Sequence, residues 1–264
     1  MRTKILCVGV VLVAAAIGVH AEEWTKTYPV SGKPDVRVDT GDGSIHVSSG
    51  NEGGVKATIS TCGWKIGRDD VRVEEHQSGN RIEIVVKIPP GPHFVVGCKS
   101  VSVELAVPKE VDLELHTKDG SIVAEGTKGT ARLSSGDGRI DVRDVEGTIN
   151  ADTQDGNINV DGRFEVLNVR TGDGRIDAAA RPGSRMTAGW SVRTRDGNIS
   201  VRLPGDIAAE LDARTSDGKI NCEFSGPVTS GTEEDARSVR GKLNGGGPLL
   251  EIRTQDGRVD VLKE

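Results

Sequence analysis

The chain has 264 residues and a formal net charge of −6, and 28% of its residues are charged. This composition excludes a bundle of membrane-spanning helices, and the acidic balance provides no electrostatic surface for nucleic acid. Aromatic residues make up only 3% of the chain, so Val, Ile, Leu and Ala must fill the interior, as they do in stacked repeats with a thin core.

The N-terminal segment has the pattern of a secretory signal peptide, with a basic start at Arg2 and Lys4 and an apolar run over residues 5–19. Val19-His20-Ala21 is a suitable cleavage site. We therefore expect a signal peptide over residues 1–21 and an exported protein that is periplasmic, on the cell surface or secreted. No later apolar run is long enough to cross a bilayer, so no transmembrane segment is expected in the mature chain.

Residues 22–115 are predicted to form a region of irregular and antiparallel strands that caps the repeats that follow. Apolar and polar residues alternate on both sides of Gln77-Ser78-Gly79-Asn80, which is typical of a hairpin. Earlier in the chain, Asp42-Gly43 leads into the alternating Ile45 and Val47. That pattern predicts a lone first rung of the repeat.

Two cysteines, Cys62 and Cys98, lie in this N-terminal region, and an exported compartment permits disulfides. If the strands over 55–60, 71–75 and 81–88 form a meander, the first and the third run the same way. The loops that carry the two cysteines then leave the same end of the sheet. We therefore predict a Cys62–Cys98 disulfide, with two unpaired thiols as the alternative.

A motif of the form Thr-x-Asp-Gly-x-Ile-x-Val recurs through residues 116–264, and four successive copies are 18 residues apart. Apolar residues occupy the positions four before, three after and five after each Asp, whereas the positions two and four after it are almost wholly polar. Each copy is therefore a strand, a turn and a strand, and copies stacked at about 4.8 Å share one core. The sequence predicts an all-β protein: a parallel β-solenoid, or β-helix, with rungs of about 18 residues.

The turn of each copy is an Asp-Gly pair, in which glycine is expected to supply a positive φ and Asp to bond nearby backbone N–H groups. A structural role explains the motif. The alternative is a carboxylate column that binds calcium, although the spacing differs from that of calcium-binding nonapeptide repeats. We expect no metal and no cofactor. The eight turns are Asp42-Gly43, Asp119-Gly120, Asp137-Gly138, Asp155-Gly156, Asp173-Gly174, Asp196-Gly197, Asp217-Gly218 and Asp256-Gly257.

The repeat is interrupted over residues 223–248, for which we predict a loop with a short strand near Val239–Leu243. Residues 249–262 resume the pattern and are predicted to form the last rung. Because an open last rung needs a cover, either the loop or a second molecule should lie over it. Cys222 occupies an inward position just before the loop and is predicted to be a buried thiol that acts as a small hydrophobe.

The position three residues before Asp is arginine in the last four copies, at Arg170, Arg193, Arg214 and Arg253. The main interpretation is a solvated face whose charges are paired with neighbouring acids. The alternative is an interaction face for an anionic glycan or a partner. The position two residues after Asp alternates between uncharged and cationic residues from Ser121 to Asn198, which keeps like charges apart on stacked strands.

No group of residues has the pattern of a catalytic site. The sequence lacks a Gly-x-Ser-x-Gly turn, a His-Glu-x-x-His motif and a phosphate-binding loop. Acids such as Asp141, Asp177 and Asp260 recur with the repeat, so we interpret them as part of the architecture. We therefore expect no catalytic residues and no enzyme activity.

The chain also resembles a known family. Val107-Pro108-Lys109 leads into the rungs, a glycine-rich run follows at residues 241–247, and the last copy reads Thr254-Gln255-Asp256-Gly257-Arg258-Val259. With a signal peptide in front, this arrangement resembles the bacterial "putative adhesin" family, a domain of unknown function that forms a repeat-containing β-solenoid. The resemblance spans most of residues 30–264. It implies an envelope or surface location and an adhesive role, and it brings no catalytic residues.

These observations favour an exported, non-enzymatic β-solenoid that acts as an adhesin-like interaction surface in the bacterial envelope, with a protein or a glycan as its partner. One alternative is a self-associating envelope scaffold, a homo-oligomer joined through the end of the solenoid. A weaker alternative is a polysaccharide-processing enzyme.

Overall fold

The protein is all-β throughout the part of the chain that the structure describes. The computed structural model describes residues 21–51, 53–67, 70–89, 99–226, 228–230 and 237–264. In these ranges it has 21 strands, joined in one sheet, and no helix, which confirms the predicted class. No helix in these ranges has the length and apolar character needed to cross a membrane. Residues 1–20 of the predicted signal peptide lie outside the described residues.

The strands follow one another with short connections. The first seven are β1 (Ala21–Tyr28), β2 (Asp35–Thr40), β3 (Ser44–Ser49), β4 (Val55–Cys62), β5 (Arg72–Ser78), β6 (Arg81–Lys87) and β7 (Ser100–Val107). The next eight are β8 (Asp112–Thr117), β9 (Ile122–Glu125), β10 (Lys128–Ser135), β11 (Ile140–Thr153), β12 (Ile158–Thr171), β13 (Ile176–Ala180), β14 (Trp190–Arg193) and β15 (Ile199–Leu203). The last six are β16 (Ala209–Asp217), β17 (Ile220–Cys222), β18 (Val228–Ser230), β19 (Ser238–Leu243), β20 (Leu249–Asp256) and β21 (Val259–Lys263).

Each Asp-Gly turn joins one strand before it to one strand after it, and we call this unit a rung, named by the number of its Asp. The strands before the turns pair side by side in an entry ladder, and the strands after the turns pair in an exit ladder. In the entry ladder Leu115 lies opposite Leu133. In the exit ladder Ile122 lies opposite Ile140, which lies opposite Ile158. These pairs are parallel and 18 residues apart, so the predicted pairing of successive repeats is confirmed.

The complete sheet is mixed, so the protein is not a wholly parallel stack. At its N-terminal side the pairs β1–β4, β4–β7 and β5–β6 are antiparallel. At the other side β19 is antiparallel to both β16 and β18. A repeat pattern predicts how like copies pair, but it contains no signal for the strands that lie outside the repeat.

The three predicted inward columns form one continuous apolar core. Ile122, Ile140 and Ile158, for example, are completely buried, and burial of such a side chain contributes about 1.5–3 kcal/mol to the free energy of unfolding. Cys222 departs from the prediction because it is half-buried. Its strand, β17, pairs only with β21 among the described residues, so one side of the thiol is not covered by a further rung. Burial still raises the pKa of this thiol.

Chain order and spatial order differ at the C-terminal side, where the prediction of the last rung is wrong. In the entry ladder β20 lies between β14 and β16, and in the exit ladder β21 lies between β15 and β17. Rung 256 is therefore inserted between rungs 196 and 217. The segment between Cys222 and Leu249 makes this possible because it carries the chain back across rung 217.

The inserted rung continues on one side the alternation that the sequence shows two residues after Asp. Asn157 Oδ1 accepts a hydrogen bond from the backbone N–H of Arg175 on the next rung (2.8 Å). Asn198 Oδ1 accepts the equivalent bond from Arg258 of the inserted rung (2.9 Å). On its other side Arg258 lies next to Lys219 of rung 217, so the insertion also brings two cationic positions together.

The two sides of the stack end in different ways. β19 covers the entry ladder by pairing with β16, which confirms a strand near Val239–Leu243. The end that it covers belongs to rung 217, and not to the rung of residues 249–262 that was predicted to be open, which rung 217 covers. At the opposite side, β6 and β7 pair in parallel with β2 and β3. Rung 42 therefore has neighbours on both sides and is not a lone first rung.

The predicted hairpin of β5 and β6 is confirmed, but the predicted meander is wrong. β4 pairs with β1 and β7, on the exit ladder, and not with β5. Alternation alone does not specify which of two ladders a strand joins. Cys62 is nevertheless disulfide-bonded and lies opposite Ser100 in the pairing of β4 with β7. Cys98, the predicted partner, lies outside the described residues.

Candidate functional site

From rung 119 onward, the Asp-Gly turns are held by the hydroxyl group two residues before Asp. Thr153 Oγ1 donates to the carbonyl oxygens of Gly136 and Gly138 on the neighbouring rung, at 2.8 and 3.2 Å, and accepts from the N–H of Gly156. The equivalent residue is buried in every rung, and the set is Thr40, Thr117, Ser135, Thr153, Thr171, Thr194, Thr215 and Thr254. The motif is therefore an architectural device that ties each turn to the next.

In every turn but the first, the glycine is required by close packing against the backbone of the neighbouring rung. A Cβ atom on Gly138 would lie 1.8 Å from the carbonyl oxygen of Gly120 on the neighbouring rung. Only three of the turn glycines, Gly197, Gly218 and Gly257, have a φ in the positive region, so the predicted reason is wrong for the others. Backbone approach between rungs, which a sequence does not display, is the physical cause.

The turn Asp side chains are exposed. From Asp119 onward, three of them form ion pairs with described residues, Asp119 with Lys118 (3.5 Å), Asp196 with Arg195 (3.4 Å) and Asp173 with Arg195, and none of the predicted bonds to backbone N–H groups is formed with described residues. The buried Thr and Ser hydroxyl groups two residues before Asp, which we call the hydroxyl column, already provide hydrogen bonds to the backbone of these turns. Within the described ranges, no three His, Cys, Asp or Glu side chains are gathered so that they could hold a metal ion.

The acids four residues after Asp also serve the architecture. Asp141 is buried and accepts a hydrogen bond from Asn159 Nδ2 on the next rung (2.7 Å). Asp260 pairs with Arg258 within its own rung (2.8 Å). These contacts agree with the interpretation of the recurring acids as structural.

The four arginines of the predicted interaction face lie on successive rungs, in the spatial order Arg170, Arg193, Arg253, Arg214. Three of them are paired with acids that lie two positions before an arginine of the column, on the same or on the neighbouring strand. Arg193 is paired with Glu251. Arg253 contacts Asp212 (2.9 Å) and Glu251 (3.1 Å), and Arg214 contacts Asp212 (3.1 Å). This geometry favours the internally paired interpretation for the C-terminal part of the column.

Asp212 is the centre of this network. It also contacts Arg240 of β19 (3.1 Å), so three guanidinium groups share one carboxylate. Burial would raise the pKa of Asp212, but hydrogen bonds and charge from Arg253 and Arg240 outweigh burial and hold that pKa below its ordinary value. Reasoning from the sequence missed Asp212, whose role appears only when β19 and β20 lie on either side of β16.

A trough of about 680 Å³, lined by polar and apolar groups, runs along the outward face of the entry ladder, across six rungs from rung 42 to rung 196; we call it the polar trough after its outward side chains. At about 4.8 Å per rung it is about 24 Å long. Its middle is lined by the short side chains of Ser134, Asn150, Asn168 and Ser191. Asn168 Nδ2 donates to Asn150 Oδ1 (2.9 Å), which fixes the two amides relative to each other.

Two arginines at the trough have no acidic partner. Arg132 and Arg170 are exposed, line the trough and form no ion pair with any described residue. Asp39 and Asp152 also line it without an ion pair to a described residue. Of the four arginines that the sequence predicted as an interaction face, Arg170 is therefore the one that forms no ion pair with a described residue, although Asp152 lies opposite it on the neighbouring strand.

Sequence reasoning found Arg170 but missed Arg132 and the two asparagines. Their common feature is the position five residues before Asp, which points outward beside the arginine column. A comparison of copies at that position shows short polar residues in three successive copies, Asn150, Asn168 and Ser191. This signal was available, but the trough also depends on which rungs are neighbours.

The family comparison covers nearly all of the same residues. The model of the Toastrack DUF4097 family matches residues 29–262. The chain belongs to the Toastrack DUF4097 family. This membership confirms the resemblance to an adhesin-like domain of unknown function, and the Toastrack match includes every rung described above. A comparison with curated proteins finds no match.

Solved structures with low identity are also similar over most of their length. A "putative cell adhesion protein" from Clostridium sporogenes is 14% identical, with a TM-score of 0.43, and the match covers 93% of this Toastrack chain and 100% of that one. A "putative adhesin" from Bacteroides fragilis is 13% identical, with a TM-score of 0.45 and coverages of 92% and 97%. One from Parabacteroides merdae is 12% identical, with a TM-score of 0.45 and coverages of 91% and 96%. At these values the likeness carries no functional argument, which rests instead on the residues of the chain itself.

Proposed function

We propose that this protein is an exported, non-enzymatic β-solenoid that acts as an adhesin-like interaction surface in the bacterial envelope, and that the polar trough is the part that meets the partner. The trough carries the proposal because it joins outward side chains of six rungs into one continuous surface. A binding surface of this kind needs extended contact, and the stack supplies it by repetition.

The chemistry of the trough supports a role in binding. Asn and Ser side chains can both donate and accept hydrogen bonds, and Arg132 and Arg170 add two cationic groups that form no ion pair with a described residue. Such groups remain available to a partner, whereas those of Arg253 and Arg214 are already engaged by Asp212.

The proposal is tested by binding of the chain from residue 22 onward to bacterial envelope fractions. We expect saturable binding that is lost when a bulky side chain fills the trough, as in Ser134→Trp. Ser200→Trp is the matched control, because Ser200 lies on β15 of the exit ladder and outside the trough. Absence of saturable binding, or equal binding by both variants, would contradict the proposal. Shortening of glycans during the incubation would instead support the enzyme alternative.

A second candidate, end-to-end assembly, rests on β17. This strand has three residues and pairs on one side only among the described residues, so its other edge offers backbone groups to a second molecule. Light scattering over a range of concentrations tests it: a mass that rises with concentration is expected for assembly, and a constant mass of one chain would refute it.

A further inference from the structure

We propose that the ligand of the trough is an acidic oligosaccharide that runs along the stack, with hydroxyl groups on the Asn and Ser side chains and carboxylates on Arg132 and Arg170. The inference rests on the proposed function and specifies the chemical class of its ligand.

Arg132 and Arg170 each present an exposed positive charge that an anionic ligand can reach. Arg132 and Arg170 lie on rungs 137 and 173 and have no ion pair with a described residue. A carboxylate that binds an unpaired guanidinium forms charge-assisted, often bidentate hydrogen bonds. At the paired arginines a ligand would first have to displace an existing acid, such as Glu251 from Arg193.

A neighbouring depression also contains arginines, but most of them are paired with acids. It has a volume of about 640 Å³, lies beside the turns and is lined by Arg170, Arg193, Arg195 and Arg253. The trough and the depression are each lined by four arginines. In the depression, Arg195 is held by Asp173 and Asp196, Arg253 by Asp212 and Arg193 by Glu251. Arg170, which lines both sites, is therefore the one arginine of the depression without an ion pair to a described residue, whereas the trough also has Arg132.

The distance between neighbouring rungs also suits an oligosaccharide. Neighbouring rungs are about 4.8 Å apart, which is close to the rise of one sugar unit in an extended pyranose chain. Successive sugars can therefore meet equivalent positions on successive rungs. Arg132 and Arg170 lie two rungs apart, about 10 Å along the stack, and are offset by two residues, about 7 Å, along the strands. A carboxylate on every second sugar can reach both arginines when the oligosaccharide crosses the rungs obliquely. An extended peptide, at about 3.3 Å per residue, does not share the period of the rungs.

Two acids of the trough that form no ion pair with a described residue restrict the chemical class of the ligand further. Asp39 and Asp152 have no ion pair with a described residue, and Asp152 lies opposite Arg170 in the pairing of β11 with β12. Carboxylates accept hydrogen bonds from sugar hydroxyls, but they repel a polymer with a charge on every unit. The trough therefore fits a hydroxyl-rich chain with sparse carboxylates better than a sulfated glycan or a nucleic acid.

Calorimetric titration with defined probes tests the inference. The probes are hyaluronan oligosaccharides, which carry one carboxylate in every two sugars, the same oligosaccharides with carboxylates reduced to alcohols, heparin, and an extended acidic peptide. We expect the hyaluronan probe to bind, and the reduced probe to bind at least about tenfold more weakly. Tighter binding of heparin or of the peptide, or equal binding of the reduced probe, would overturn the inference.

Substitutions of the trough arginines test where on the protein the ligand binds. The double variant Arg132→Gln, Arg170→Gln is expected to weaken hyaluronan binding at least about tenfold, with partial recovery in the Arg→Lys version. Arg175→Gln is the matched control, since Arg175 is an exposed arginine on rung 173 that lies outside the trough, and its affinity should stay unchanged. Equal affinities of the double variant and the control would contradict the assignment. Unchanged thermal melting of both variants shows that the fold is intact.

The two proposals fail in different ways. If the protein binds envelope fractions through the trough but shows no preference for carboxylated oligosaccharides, the ligand class is wrong and the interaction surface stands. If it does not bind envelope fractions at all, the proposed function is wrong.

Discussion

The outward face of the entry ladder has two regions that share a column of arginines and use it differently. Around rung 173, Arg170 has Asn168 two positions before it and forms no ion pair with a described residue. Around rungs 256 and 217, Arg253 and Arg214 have Glu251 and Asp212 at that position and are paired. An arginine of this column is therefore paired where an acid lies two positions earlier on its own strand or, as for Arg193 with Glu251, on the neighbouring strand.

The two regions also differ in how the chain reaches them. The middle rungs stack in the order in which they occur in the sequence. The C-terminal rungs do not, because rung 256 lies between rungs 196 and 217. The paired region is thus the one that non-sequential strands assemble, and its ion pairs join three separate segments, β16, β19 and β20.

The largest effect is expected from removal of residues 249–264, which eliminates the inserted rung and leaves the middle rungs intact. Leu250, Ile252, Val259 and Val261 are completely buried, so the loss is about 6–12 kcal/mol at 1.5–3 kcal/mol per side chain. Hydrogen exchange should then show fast exchange over β16, β17 and β19 and retained protection over β10–β12. Retained protection of β16 would mean that rung 217 can stack directly on rung 196.

A smaller but still large effect is expected from Gly138→Ala in the middle region. The new Cβ would lie 1.8 Å from the carbonyl oxygen of Gly120, and relief of that overlap should cost about 3 kcal/mol. Gly67→Ala is the control, because no atom lies within 4 Å of its built Cβ. Thermal melting of both variants measures the difference. A Gly138→Ala protein as stable as the control would show that neighbouring turns can separate without loss.

Asp212→Asn tests the paired region and should lower the free energy of unfolding by about 1–3 kcal/mol at neutral pH, because three arginines lose their shared charge. Asp177→Asn in the middle region is the control: its pair with Arg175 is exposed and 3.7 Å long, and about 0–1 kcal/mol is expected.

The difference in stability between wild type and Asp212→Asn should also depend on pH. Since the pKa of Asp212 is lower in the folded protein than its ordinary value of 3.8, its contribution is complete above that value and is lost as the pH falls through the folded pKa. Melting at a series of pH values should therefore show the gap between wild type and Asp212→Asn closing in acid. A gap that does not change with pH would exclude the charge as its cause.

The smallest effect is expected at the hydroxyl column. Thr153→Val removes bonds to Gly136 and Gly138 and should cost about 1–2 kcal/mol. Thr40→Val should be neutral or slightly stabilising, because Thr40 Oγ1 is buried and has no hydrogen-bond partner in the described structure. On that side of Thr40 lies the β6–β7 rung, whose sequence has no Asp-Gly turn. Equal costs at both positions would show that the hydroxyl bonds contribute nothing measurable.

The sequence predicts the local unit of this fold well. The inward columns, the turn positions and the 18-residue register follow from alternation and period, because each depends on residues within one copy or on identical residues in the next. The repeat also led to the family resemblance. Arg170 was found in the same way, as a member of a column.

The order of the rungs and the pairing of the arginines could not be predicted in this way. Both depend on the return of the chain that places Arg253 between Arg193 and Arg214, and no single copy contains that information. The turn glycines were found but given the wrong reason, since the carbonyl group that excludes a side chain belongs to the neighbouring rung. Cys62 was assigned to a disulfide from a meander that does not form.

The inserted rung has a consequence for assembly during synthesis. Asp217 and Asp256 are 39 residues apart in the chain, yet rung 217 packs on rung 256. In a chain that emerges N-terminus first, rung 217 is made before the surface that it needs, and it can take its final place only once β20 and β21 have appeared. β20 and β21 therefore complete the fold last. A nascent chain that ends before them keeps strands with an unpaired edge, which a chaperone or a protease can distinguish from the finished protein.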